Sequence, residues 1–71
     1  MFEHKIIKRI GVVGESGNDT KEINLIQWGN HEPCVDVRRW RGGKPLKGMV
    51  FYPDEIDDLI RLLKKAKKEV T

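Results

Sequence analysis

The chain has little of what usually stabilises a small domain. Among its 71 residues there is one cysteine, Cys34, and there are two histidines, His4 and His31. A single cysteine excludes an intramolecular disulfide, and three scattered soft ligands give poor support for a structural zinc site. So short a chain buries only ~60% of the surface that its unfolded form exposes. Self-association is the remaining route to stability, and we expect a homodimer.

Long apolar runs are also missing. No stretch approaches the ~20 residues of a membrane span, and Met1 is not followed by a signal-peptide pattern. There is no internal repeat, and the only biased segment is the lysine-rich end of the chain. We therefore expect a single domain over residues 1–71, located in the cytoplasm and without a membrane partner.

The residue patterns of an enzyme are absent as well. His4 and His31 have no serine or cysteine at a recognisable motif spacing, and Cys34 is better explained as a small apolar strand residue than as a nucleophile. Gly42 and Gly43 lack the spacing of a phosphate-binding loop, and no helix follows them. We expect no catalytic activity, no cofactor, no metal and no small-molecule substrate.

What the sequence does contain is four strand-like segments followed by one helix-like segment. Alternation and β-branched residues predict strands at 4–15, 21–28, 34–40 and 46–51. Turn residues separate these segments at 14–19, 29–33 and 41–45. From Pro53 onward, apolar residues recur at helical spacing, with acids near the start and lysines near the end, as the helix dipole favours. The order predicts an α+β fold, β-β-β-β-α, with a four-stranded antiparallel sheet and one C-terminal helix.

The charge is moderately basic and unevenly distributed. The formal net charge is +3 and the pI is about 9.2. Acids concentrate in residues 54–58, whereas cations dominate residues 38–47 and 61–68. Such patches are compatible with a nucleic-acid footprint but do not establish one.

Alternation on the second and third strands sorts their side chains onto two faces. One face is aliphatic, and we expect it to pack against the helix: Ile23, Leu25, Val35 and Val37. The other face carries Asn24, Ile26, Trp28, Asp36, Arg38 and Trp40. Two tryptophans beside an arginine on an open sheet face would form a stacking surface for unpaired bases. Stacking contributes ~1–3 kcal/mol of binding free energy per base.

These residues also have plainer interpretations. Core packing is the alternative for each tryptophan, and periodicity leaves the two interpretations about equally favoured. Ile26 shares a face with Trp28, which would also fit a buried face. The cations of residues 38–47 would suit a solvated surface as well as phosphate contacts. A protein-interaction surface is a further alternative, because Trp and Arg are enriched in protein hot spots too.

Three segments resemble the bacterial YdbC-like branch of the positive cofactor four family of transcriptional coactivators. They are KEINLIQW at 21–28, DVRRW at 36–40 and the pair Lys47-Gly48, within a β-β-β-β-α order over residues 5–65. The resemblance implies a homodimer of strongly curved sheets with the helices at its centre. It also implies binding of single-stranded DNA through the concave faces, with little sequence preference. The chain departs from the family at Ile26, at the short RGGKP turn, and at Tyr52, which stands where a short capping residue is expected.

Strand pattern and resemblance together predict a site of stacking aromatics and phosphate-binding cations. Trp28 and Trp40 would stack on bases, while Arg38 and the neighbouring lysines would meet the backbone. The complete predicted set is Lys8, Arg9, Lys21, Asn24, Trp28, Arg38, Trp40, Lys44 and Lys47. The expected ligand is single-stranded DNA, with single-stranded RNA or a protein partner as alternatives, in transcription regulation, replication or repair.

Overall fold

Four strands and one helix follow one another along the chain in the predicted order. The computed structural model describes residues 3–71. Its elements are β1 (His4–Ser16), β2 (Asp19–Trp28), β3 (Cys34–Arg41), β4 (Lys44–Phe51), a 3₁₀ turn (Pro53–Glu55) and α1 (Ile56–Val70). The strands form one antiparallel sheet in the order β1-β2-β3-β4. The β-β-β-β-α prediction is confirmed.

The turn between β3 and β4 is tighter than the sequence suggested. Arg41 pairs directly with Lys44, so the connection consists of Gly42 and Gly43 alone. Both glycines have positive φ, 56° and 79°. A two-residue hairpin that needs φ > 0 at both central positions strongly favours glycine there. The predicted break at 41–45 is therefore a compact hairpin, and β4 begins two residues earlier than expected.

β1 is longer than the strand with which it pairs. Its 13 residues lie opposite ten residues of β2. Three register shifts, after Ile6, Arg9 and Val12, account for the three extra residues. Each bulge bends its strand and increases the local twist. Three in one strand give this edge of the sheet a strong curl.

Residues that lie opposite each other in an antiparallel register share a face of the sheet. One face, called the aromatic face below, carries His4, Ile6, Asn24, Ile26, Trp28, Cys34, Asp36, Arg38, Trp40 and Val50. The other, called the aliphatic face, carries Ile23, Leu25, Val35, Val37, Met49 and Phe51. The sequence-based assignment of the β2 and β3 side chains to two faces is confirmed.

The buried core lies on the aromatic face, contrary to the expectation that this face is open. Its buried hydrophobic residues are Ile26, Cys34 and Trp40. Among residues 3–71, α1 packs substantially only against the 3₁₀ turn before it and has no buried residue. No helix therefore covers the aliphatic face within the chain, and that part of the prediction is wrong. The curled sheet instead brings His4 against both Trp28 and Trp40, so that side chains of the aromatic face bury one another.

Candidate nucleic-acid interface

A buried carboxylate organises the centre of the aromatic face. Asp36 is 0% exposed and accepts hydrogen bonds from the indole Nε1 of Trp28 at 2.9 Å and from Nε of Arg38 at 2.6 Å. Nη1 of Arg38 donates to the carbonyl oxygen of Leu46 at 3.1 Å. The guanidinium lies 4.7 Å from the centroid of the Trp28 ring, a cation–π contact. Trp28 and Arg38 are thus held in fixed positions by the same acid.

The side chain of Arg38 is mostly buried and is bonded to other residues of the chain. Its side chain is only 14% exposed. The N–H of Nε donates to Asp36, and one N–H of Nη1 donates to Leu46, while the guanidinium also contacts the Trp28 ring. A guanidinium has five N–H donors, so three remain that donate to no described residue. The prediction of Arg38 as a freely displayed phosphate-binding cation is corrected to a fixed group with spare donors.

Trp40 is a core residue. It is 3% exposed, and His4 packs edge-on against it with 5.6 Å between ring centroids. The same histidine lies 5.1 Å from the Trp28 ring, so it sits against both tryptophans. The predicted exposed ring at Trp40 is therefore wrong, because a ring without accessible faces cannot stack on a base. The curl of β1, which brings His4 onto this face, is the physical reason.

Asn24 is also inside rather than at the surface. It is 1% exposed, and its Nδ2 donates to Oε1 of Glu22 at 3.3 Å. Glu22 accepts from the hydroxyl of Thr20 and, at 3.3 Å, from Nη1 of Arg9 as well. Asn24 therefore belongs to a polar network within the sheet. Arg9, whose side chain is 65% exposed, lies at the rim of that network with an acid already beside it.

The predicted binding residues do not share one face. Arg9, Asn24, Trp28, Arg38 and Trp40 lie on the aromatic face, whereas Lys8, Lys21 and Lys44 occupy register positions of the aliphatic face. Lys47 lies in the irregular stretch of β4 between the Arg38–Gly48 and Trp40–Pro45 pairs. Lys8, Lys21, Lys44 and Lys47 are all exposed. A single flat binding face, as predicted, is therefore corrected to two surfaces.

The first of these surfaces is a basic pocket of about 500 Å³. It is lined by Lys21, Val37, Arg38, Arg39, Leu46, Lys47 and Gly48. Lys21 lies directly opposite Arg39 in the register, and like charges at such positions repel each other. Among the described residues, the side chains of Lys21 and Lys47 have no hydrogen bond and no ion pair. An arrangement that costs stability in the free protein is suited to an anion.

Arg39 has an acid nearby, but that acid is already occupied. Asp19 lies 3.8 Å from Nη1 of Arg39, and it accepts two hydrogen bonds from Arg41, at 2.6 and 3.1 Å. The bond from Arg41 is the main cause that holds the pKa of Asp19 below its ordinary value. Asp19 thus remains an anion bound to Arg41, and the basic pocket keeps its positive charge.

The second surface is an aromatic pocket of about 370 Å³ at the other end of β4. It is lined by Trp28, His31, Cys34, Arg38, Val50 and Tyr52. Burial raises the pKa of the Cys34 thiol, and Asp36 raises it further, so the thiol stays neutral and contributes an apolar wall. Sequence reasoning missed Tyr52, Val50 and His31. An aromatic residue where a helix cap is expected was the available signal for Tyr52.

Arg38 lines both pockets, and residues of β4 line first one pocket and then the other. Leu46, Lys47 and Gly48 line the basic pocket, and Val50 lines the aromatic pocket. Because β4 is an edge strand, no further strand separates the pockets from solvent. Gly48 lies opposite Arg38, where a Cβ atom would come within 1.9 Å of the Arg38 Cβ. Glycine at this position lets β4 approach β3 beside Arg38.

No protein-family model matches this chain, and no curated protein matches it in sequence. Within residues 3–71, no three histidine, cysteine or acidic side chains are grouped so that they could hold a metal ion. No helix in that range is long and apolar enough to cross a membrane. The function has to be inferred from the geometry and charge of the two pockets.

Proposed function

We propose that this protein binds single-stranded DNA with little sequence preference, as a cytoplasmic homodimer that acts in transcription regulation, replication or repair. The observation that carries the proposal is that an aromatic pocket and a basic pocket share Arg38 as a lining residue. A nucleotide has the matching halves, an aromatic base and an anionic phosphate. The resemblance of the sequence to the positive cofactor four family supports the same function.

The binding mechanism combines stacking with charge neutralisation. Trp28 is half-buried, and its orientation is fixed through Asp36, so its ring is ready for a base without further ordering. Phosphates bind Lys21, Arg39 and Lys47 in the basic pocket. Neither kind of contact reads the hydrogen-bonding edge of a base, which is why the sequence preference is weak.

The homodimer accounts for apolar surface that the single chain leaves uncovered. The aliphatic face has no covering layer among residues 3–71. The helix exposes Ile60, Leu62 and Leu63 to solvent, although its apolar residues recur at helical spacing. A second copy that packs its helix against this helix, and that leaves open the part of the aliphatic face at Lys21 and Val37 where the basic pocket lies, would supply the core that so short a chain lacks.

A titration of wild-type protein against a labelled single-stranded oligonucleotide tests the proposal. Fluorescence anisotropy is measured at several salt concentrations, with RNA of the same sequence and duplex DNA as competitors. If the three cations of the basic pocket each neutralise one phosphate, the logarithm of affinity falls against the logarithm of salt with a slope of about −2. Failure to bind the single strand at low salt refutes the proposal. Stronger binding of the RNA than of the DNA would mean that RNA is the ligand.

A charge-matched pair of variants shows whether binding uses the basic pocket. Lys47→Gln removes a charge from the pocket, and Lys68→Gln removes one from the exposed end of α1. We expect Lys47→Gln to weaken binding and to make the salt slope about 0.7 less steep. We expect Lys68→Gln to leave the slope unchanged. Equal effects of the two variants would mean that only net charge matters.

A further inference from the structure

The aromatic pocket contains a second ring, that of Tyr52, whose backbone is held by two hydrogen bonds. The backbone N–H of Tyr52 donates to Oε1 of Glu55 at 2.9 Å, and its carbonyl accepts from the N–H of Glu55 at 2.8 Å. These two bonds fix the Tyr52 backbone at the start of the 3₁₀ turn. Its ring packs against the core cluster and lines the pocket. Two packed rings on restrained backbone therefore border one cavity, an arrangement that loses little entropy when a flat ligand enters.

The lining of this pocket suits a flat aromatic ligand that also carries a negative charge. Val50 and Cys34 contribute apolar wall, and Trp28 and Tyr52 contribute rings. Arg38 also lines the basic pocket and retains donors that no described residue uses. At about 370 Å³ the cavity lies near the lower end of the 300–1,000 Å³ typical of ligand pockets, which is a size for one ring system.

We propose that the aromatic pocket holds a single unpaired base of the bound strand, and that Tyr52 is a binding residue alongside Trp28. This inference rests on the proposed function, and it adds a specific subsite to it. The base enters the pocket at the end of β4, while the phosphate attached to its sugar lies towards Arg38, which lines both pockets, and Lys47. An apolar side chain of a protein partner would fill the cavity equally well but would have no use for the neighbouring cations.

The test compares two strands that differ only in their bases. One is an oligothymidylate of about 15 nucleotides, near the largest site of a single-strand-binding domain. The other is an abasic oligomer of the same length and charge. Wild type, Tyr52→Leu and Tyr52→Phe are titrated against both strands. Phe51→Leu is the matched control, because Phe51 is adjacent in sequence but lies on the aliphatic face and lines neither pocket.

The base subsite makes a distinct prediction for each strand. Tyr52→Leu should weaken binding of oligothymidylate roughly 5- to 150-fold, the range expected for one stacked base. It should leave affinity for the abasic oligomer unchanged. Tyr52→Phe, which keeps the ring, and Phe51→Leu should both bind like wild type.

The failures of the two proposals are distinguishable. If wild type binds oligothymidylate and Tyr52→Leu binds it equally well, the base subsite is refuted while the proposed function stands. Equal weakening towards both strands also refutes the subsite. If wild type binds neither strand, the proposed function itself fails. If the pocket bound a protein partner instead, wild type would have no affinity for oligonucleotides and Tyr52→Leu would weaken binding of the partner. That result would overturn both proposals.

A second measurement keeps the inference testable if Tyr52→Leu does not fold. The methyl resonances of Val50, which lines the aromatic pocket, are followed in wild type by NMR during titration with each strand. A base in the pocket should shift them through its ring current with oligothymidylate and not with the abasic oligomer. Unshifted Val50 methyl groups at saturating oligothymidylate would refute the base subsite.

Discussion

Gly48→Ala should disrupt the contact between β3 and β4 beside Arg38, the residue that lines both pockets. A Cβ atom at residue 48 would lie 1.9 Å from the Cβ of Arg38, 2.6 Å from its Cα and 2.5 Å from the carbonyl oxygen of Val37. None of these atoms moves when a side chain changes rotamer, so the two strands themselves must separate. Overpacking of this kind costs ~1–3 kcal/mol, and more where the backbone has to shift. For a domain of this size, that corresponds to a fall in the thermal midpoint of roughly 4–24 °C.

The effect is measured by circular dichroism during thermal unfolding, with Gly11→Ala as the control. A Cβ atom at residue 11 meets nothing within 4 Å, and the φ of Gly11 is not in the left-handed region. There the substitution should be neutral or stabilise by about 0.4–1 kcal/mol, because it restricts the unfolded chain. All variants are compared at one protein concentration, since the midpoint of a dimer depends on concentration. Equal midpoints for Gly48→Ala and Gly11→Ala would refute the close approach of β3 and β4.

Three further substitutions separate fold from binding. Trp40→Ala should lower the free energy of unfolding in urea by about 3–5 kcal/mol, as expected for a buried tryptophan, and a loss as small as the ~0.5 kcal/mol of a surface change would contradict its core position. Lys21→Gln removes a charge that faces Arg39, so it should weaken oligonucleotide binding without lowering the thermal midpoint, and a lowered midpoint would argue against repulsion at this pair. The hydrogen bond from Arg41 lowers the pKa of Asp19 below its ordinary 3.8. The ionised carboxylate therefore stabilises the fold above pH 3.8, and this stabilisation is lost as the pH falls through the lowered pKa. Asp19→Asn should therefore show a smaller fall in thermal midpoint than wild type between about pH 5 and pH 2, and coinciding profiles would remove Asp19 from the acid response.

The element order and the two faces of the sheet were predictable because both follow from local periodicity. The alternation of β2 and β3 assigned Trp28 and Arg38 to the face that they occupy, and the spacing after Pro53 marked the helix. Which face is buried was not predictable in the same way. Burial depends on the curl of the sheet, and the bulges of β1 that curl it leave no clear mark in the sequence. The exposed-ring interpretation of Trp40 failed for this reason.

The composition of the site was predictable only in part, because it depends on how strands cross in space. Asp36 and Arg38, two residues apart on one face, are a readable signal for an ion pair, which explains why Arg38 is less available than its charge suggested. The alternation of β2 also indicated that Lys21 lies on the face opposite to that of Trp28. The position of Tyr52 against the aromatic pocket was not, since it depends on the direction that the chain takes after β4.

The separation between residues that stabilise the fold and residues that contact a ligand follows from the small size of the domain. Asp36 is buried, and it positions both Trp28 and Arg38, so changes to this acid must affect fold and ligand surface together. Tyr52 and Lys47 line the two pockets without belonging to that buried pair, so binding there can vary with little effect on the core. A domain with three buried hydrophobic residues among residues 3–71 has few positions of this second kind. Edge strand β4 and the residue that follows it supply them, because they border solvent on one side and the Asp36–Arg38 pair on the other.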